Sequence, residues 1–132
     1  MRYRYLAYKY TRRLAPDLTF QNVWESFGTW PTHPMIVWRP PTDIYETPDE
    51  IIVVIEAAGV AEEDLAITLF SDLLVVEGRR KQPITEMNAC HQLGIKYGNF
   101  IAEIAIHASV DHDQVKAEYK NGLLMITLRK LH

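Results

Sequence analysis

Val115-Lys116-Ala117-Glu118-Tyr119-Lys120-Asn121-Gly122-Leu123-Leu124-Met125-Ile126-Thr127-Leu128 is the stretch that decides the fold. Two runs with strand character flank the pair Asn121-Gly122. Both turn residues tolerate positive φ, and Asn-Gly between two such runs is the strongest short-range signal of a two-residue β-hairpin.

The same reading extends upstream. Asp43 to Glu46 and Ile51 to Glu56 are separated by a Pro-Asp turn, and the second run is β-branched, as a buried strand requires. Ala58-Gly59-Val60 interrupts the pattern. Leu65, Ile67 and Leu69 then alternate with Ala66, Thr68 and Phe70, the period of two that a strand imposes. A Ser71-Asp72 turn leads into Leu74 to Glu77, which Gly78 stops, and Phe100 to Ile106 alternates again. Seven or eight short strands joined by tight turns predict an all-β fold, an antiparallel β-sandwich. Segment 79–96 stands apart: it is long, polar, and carries Pro83, Ile84, Met87 and Leu93. Connections of that length in compact domains are usually functional.

The N-terminal third differs in character. Residues 1–38 hold nine of the fourteen aromatics and a local charge of +3, whereas residues 39–132 carry −6. This asymmetry predicts a basic, aromatic arm over 1–38 joined to an acidic folded body over 39–132. Pro31, Pro34, Pro40 and Pro41 mark the junction. Within the arm, Asp17 can cap a short amphipathic helix over Leu18–Phe27. Phe20, Val23, Trp24 and Phe27 recur there at helical spacing, and Gly28 is a stop; such a stripe either packs on the body as ordinary core or stays an exposed, sticky arm. The arm is thus expected to be partly helical or disordered.

Composition narrows the function. The chain has 132 residues, enough to bury a real core, and a net charge of −3, which argues against a dedicated nucleic-acid binder. A single cysteine, Cys90, excludes an internal disulfide and suits a reducing compartment. With no apolar signal core near the N-terminus, a cytoplasmic location is the expectation.

Several co-linear motifs carry a family resemblance. Ala117-Glu118-Tyr119-Lys120-Asn121-Gly122-Leu123-Leu124 followed by Ile126-Thr127-Leu128 closely resembles the signature that closes the α-crystallin domain. Pro41 to Glu46 is similar to that domain's opening strand. Glu56-Ala57-Ala58-Gly59-Val60 with Glu62-Glu63-Asp64-Leu65 resembles the family's Leu-Pro-Gly-Val turn and its acidic follow-on. Tyr97-Gly98-Asn99-Phe100 resembles the Tyr-Gly-x-Phe element. The resemblance covers about residues 39–130 and is to the small heat-shock proteins of the non-animal type. Ala58 and His107 stand where the family has proline, and Ala102 where it commonly has arginine.

The resemblance implies an immunoglobulin-like β-sandwich acting as an ATP-independent holdase that binds partly unfolded clients. It implies a homodimer made by exchange of a strand in the long loop, with Ile84, Met87 and Leu93 as its apolar residues. It also implies an edge groove between the strand of Leu65, Ile67 and Leu69 and that of Val115 and Ala117. In relatives an Ile-x-Ile tail fills this groove and links dimers. The sequence given ends at Leu131-His132 without that motif, so dimers or arm-mediated assemblies are expected, with Met35-Ile36-Val37 a candidate internal occupant of the groove.

The remaining chemistry is sparse. The glycines form neither a dinucleotide fingerprint nor a phosphate loop, the serines lack a nucleophile elbow, and His-Glu-x-x-His is absent. No enzyme and no cofactor is expected. Cys90-His91, His107 and Asp111-His112-Asp113 make at most a weak metal signal, because adjacent strand side chains point to opposite faces; the last three read as a solvated turn. The aromatics Tyr3, Tyr5, Tyr8, Tyr10, Phe20, Trp24, Phe27 and Trp30 are the expected client-binding set, since large side chains with polar tips suit varied apolar partners. Membrane-interface anchoring is the second reading of the arm. A non-chaperone interaction module, of the kind found in co-chaperones that share the sandwich, is the competing class.

Overall fold

The computed structural model describes residues 7–8 and 37–132. The helix expected over Leu18–Phe27 and most of the arm lie outside them. Eight strands follow in chain order: β1 (Ala7–Tyr8), β2 (Thr42–Glu46), β3 (Glu50–Glu56), β4 (Leu65–Leu69), β5 (Leu73–Arg80), β6 (Gly98–Ala105), β7 (Val110–Lys120) and β8 (Leu123–Lys130). A 3-10 turn, Glu62–Asp64, precedes β4. They form two four-stranded sheets, β1-β4-β5-β6 and β2-β3-β8-β7, packed as a sandwich. All pairings between named strands are antiparallel except the short parallel pair of β1 with β4.

The Asn121-Gly122 turn forms as the sequence predicts. Asn121 has φ 54° and Gly122 φ 78°, both left-handed, and β7 turns directly into β8 with Lys120 opposite Leu123. β8 is one of the two inner strands of its sheet and pairs with β3 along seven residues. Its alternation sends Leu124, Ile126 and Leu128 inward, where they meet Ile51, Val53 and Ile55 of β3. From the other sheet Leu65, Ile67, Leu69, Leu74, Val76, Phe100 and Ile104 complete one continuous core.

Two turns lock the end of the sandwich. The Ala57 amide donates to the Gly122 carbonyl at 2.8 Å, and the buried Tyr119 hydroxyl donates to the Ala57 carbonyl. Ala58 sits against Gly122 closely enough that a Cβ on the glycine would lie 3.0 Å from it. At the other end Lys130 pairs with Glu46.

Two expectations need correction. Asp111-His112-Asp113 is part of β7 rather than a free turn. The register between Val110 and Val115 is shifted, and the Asp111 side chain accepts the Asp113 amide at 2.9 Å. A bulge of this kind adds residues to one strand without breaking the ladder, so turn-like residues persist inside a strand. Also, β5 continues through Gly78 to Arg80, and the long connection begins one strand turn later than the glycine suggests.

Gly78 is where it is because Phe100, its register partner, lies across it. A Cβ there would fall 2.4 Å from Phe100 Cζ and 2.8 Å from the Asp64 carbonyl oxygen. In an ordinary strand Gly→Ala stabilises by restricting the unfolded chain; here overpacking should dominate. Gly78→Ala is expected to lower unfolding free energy by about 1–3 kcal/mol, read as a shift in the urea midpoint. An unchanged or raised midpoint would show that Phe100 can move aside.

Candidate interaction surfaces

Three surfaces stand apart from the core. The first is the β4 edge. Leu65, Ile67, Leu69 and Ala117 are buried in the main core, and Val115 is half-buried against the same cluster. The main-chain edge of β4 carries β1, with Ala7 opposite Thr68 and Tyr8 opposite Leu69. Of Met35-Ile36-Val37, the occupant considered from sequence, Val37 alone is among the described residues. It packs on Phe70, Leu73, Val75 and Ile101.

The second surface is the long connection 81–97 together with the β2 edge. Ile84, Met87, Leu93 and Ile95 are exposed, Leu93 to 74 %. Ile44 and Tyr45 of β2, at the end of the other sheet, are exposed as well. A cleft of about 680 Å³ lies at the base of the connection, between it and the strands. Arg80 fixes that base. Its Nε donates to the Lys96 carbonyl at 2.9 Å and its Nη1 to the Ala58 carbonyl at 3.1 Å. The guanidinium lies 4.5 Å from the centre of the Trp38 ring, and Glu56 is 3.8 Å away. Trp38 itself packs on Phe100, with ring centres 5.2 Å apart. An arginine stacked on an aromatic face while its fork donates to two carbonyls is well immobilised. Sequence reading missed Arg80 and Trp38; the one signal available was a tryptophan held between proline-rich segments.

The third surface is the outward face of β4-β5-β6. It carries Phe70, Leu73, Val75 and Ile101 as a second apolar cluster, with Glu77 among them. Glu77 is 8 % exposed, and among the described residues no hydrogen-bond partner reaches its Oε2.

The arm residues Tyr3, Tyr5, Tyr10, Phe20, Trp24, Phe27 and Trp30 fall outside the described residues; for Tyr8 the strand position alone is described. Among the described residues, no group of three His, Cys, Asp or Glu side chains is arranged to hold a metal ion.

Residues 43–132 match the model of the Hsp20/alpha crystallin family. The chain belongs to that family. Small heat shock protein C2 of Rickettsia felis is 28 % identical over 124 residues, spanning 90 % of this chain and 79 % of that one. Heat shock protein 16 of Schizosaccharomyces pombe is 34 % identical over 96 residues, spanning 70 % and 66 %. Among solved structures, heat shock protein 16.0 from Schizosaccharomyces pombe superposes with a TM-score of 0.66 at 29 % identity, covering 71 % of this chain and 88 % of that one. The relatives include bacterial, plant and yeast proteins, and the role that goes with the family is that of a chaperone.

Burial pushes the Glu77 carboxyl up to about 7 from 4.5. Its face is shared with Asn99, Glu103 and Arg79 on the same parity of β5 and β6. The folded state therefore holds a proton more tightly than the unfolded chain, so stability falls as pH rises from about 4.5 to about 7 and the loss is complete above that. Glu77→Gln should raise the unfolding free energy at pH 8, by at most about 3 kcal/mol and read as a higher Tm, and change it little at pH 4. Equal effects at both pH values would mean the carboxyl is solvated.

Proposed function

We propose that this chaperone is an ATP-independent holdase that covers apolar surface exposed by partly unfolded proteins, and that it is not an enzyme. The family membership supports the class of activity. The observation that carries the reading is a closed sandwich that nonetheless keeps large apolar side chains in water along residues 84–95. Scattered single apolar residues on a surface are ordinary; a contiguous group of them marks an interaction site.

The mechanism follows from the energetics of exposure. A client that partly unfolds exposes apolar area, and covering it gains roughly 25 cal/mol per Å². A surface that must accept many sequences works best when it is adaptable and plural. The arm contributes Tyr3, Tyr5, Tyr8, Tyr10, Phe20, Trp24, Phe27 and Trp30 to that task. The edge formed by Leu65, Ile67, Leu69, Val115 and Ala117 contributes strand pairing on the β4 and β7 sides. A lone cysteine fits a reducing, cytoplasmic setting.

Self-association accompanies the family, and the chain is proposed to form a homodimer through its long connection. The connection presents Ile84, Met87 and Leu93, while β2 of the other sheet is an edge strand among the described residues, with Ile44 and Tyr45 exposed. A partner's connection laid along β2 would satisfy that edge and bury both apolar groups.

Two measurements follow. Light scattering from a heated client, without nucleotide, should fall to near baseline at about one subunit per client, and full-length protein with Phe20, Trp24, Phe27 and Trp30 changed to Ser should lose most of this protection. Turbidity unchanged across several clients at excess chaperone would remove the holdase reading. In sedimentation, Ile84→Ser with Met87→Ser and Leu93→Ser should shift the smallest stable species from dimer to monomer; a dimer that survives all three would place the interface elsewhere.

A further inference from the structure

The folded body is acidic, with nine cations against fifteen carboxylates over 39–132, yet its charges are unevenly placed. The cleft of about 680 Å³ at the base of the long connection is lined by three of those cations, Arg39, Arg80 and Lys96. Glu56 is the one carboxylate among its described lining residues. Three positive charges and one negative give this lining +2, within a body of −6. Glu56 is moreover engaged already: its Oε1 accepts the Ala58 amide at 3.0 Å and lies 3.8 Å from Arg80. Arg39 and Lys96 are exposed, and among the described residues no carboxylate stands within ion-pair distance of either.

The third cation is built in rather than solvated. The Arg80 side chain is 12 % exposed, and its Nε and Nη1 donate to the Lys96 and Ala58 carbonyls. Those acceptors are neutral, so they immobilise the guanidinium without cancelling its charge. Besides the charges the lining is apolar: Trp38, Pro41, Ile95 and Tyr97. A hollow of this size, mostly apolar with a few fixed polar groups, is the usual form of a binding site. Ile84, Met87 and Leu93 do not line it. The proposed dimer and an occupant of the cleft therefore draw on different side chains.

We propose that this cleft takes an acidic polypeptide segment, one in which carboxylate side chains stand beside apolar or aromatic ones. An acidic segment is repelled by the net charge of the body and attracted at this lining. Exposed ion pairs alone contribute little, so a free small anion, which uses the charges only, is held weakly. A segment that also sets an apolar side chain on Trp38, Ile95 and Tyr97 uses both parts of the lining. The proposal names a class of client segment and in that respect rests on the holdase reading.

The test titrates full-length protein into a rhodamine-labelled peptide, Glu-Asp-Phe-Glu-Leu-Asp, and reads anisotropy. A second peptide carries lysine at each acidic position. The acidic peptide should bind roughly tenfold or more tightly than the lysine one, and added salt should weaken it. Arg39→Glu with Lys96→Glu should cost the acidic peptide roughly tenfold or more and narrow or reverse the preference. Both side chains are exposed and unpaired, so Tm should stay unchanged; Arg39→Gln with Lys96→Gln, which removes charge without reversing it, should give a smaller loss in the same direction. No binding of the acidic peptide, equal affinity for the two peptides, or an affinity that both double variants leave intact would overturn the proposal. Free glutamate competing as well as the peptide at equal carboxylate concentration would also overturn it, in favour of a small anion. No client aggregates in this assay. Lost protection of heated clients with the peptide preference intact would remove the holdase reading alone, and protection without any peptide preference would remove this proposal alone.

Discussion

The register of β8 is the constraint on which the sandwich depends. A strand has a side-chain period of two, so a slip of one residue would send Leu124, Ile126 and Leu128 to the solvent and bring Met125 and Thr127 inward. β8 is paired on both sides, to β7 and to β3, and both partners would have to slip with it. The two left-handed residues at 121–122 remove that freedom, because a two-residue turn leaves no slack between β7 and β8. The turn is then held in place by Ala57 and Ala58, so the hairpin and the β3 exit are fixed by one contact. The inward side chains of the opposite sheet pack against the face that this register creates.

Much of the body was legible because its strands report themselves twice, by alternation and by turn chemistry. The runs at 43–46, 51–56, 65–69 and 123–128 all lie within observed strands. What escaped was whatever depends on partners distant in sequence. β1 is two residues long and has no period to read; only its neighbour β4 makes it a strand. Arg80 looks like an ordinary charge at a strand end until Trp38, Ala58 and Lys96 gather around it. Asp111 to Asp113 have turn composition but sit where β7 accommodates a register shift. The apolar residues assigned to the edge groove and to the long connection were found by their family positions. Burial alone would have separated them, the former mostly inside and the latter mostly in water.

The continuous buried run Leu73 to Glu77 carries a lesson about patterning. A strand covered on one face alternates; a strand covered on both reads as an unbroken apolar run. β3 reads as an unbroken run in sequence yet alternates in the structure, with Ile52 and Val54 half-buried on its outer side. β5 is the strand that is buried on both faces, and it contains an acid, Glu77. Hydrophobicity along the strand therefore misjudged which sheet is covered twice. Two contacts of N-terminal residues, at β4 and at β6, lie at the two edges of that sheet.

Those two contacts differ in strength, and the difference bears on how the chain works. Trp38 is buried, stacked on Phe100 and under Arg80, and its backbone exchanges two hydrogen bonds with β6, at 3.2 and 3.0 Å. β1 is a two-residue parallel pair on an edge. A net hydrogen bond contributes only about 1 kcal/mol, so a strand this short is held mainly by what flanks it. The described N-terminal residues are thus held firmly at Trp38 and lightly at Ala7–Tyr8. The β1 pair lies outside β4, so the β4-β5-β6 ladder and the β2-β3-β8-β7 sheet make their contacts with one another without it.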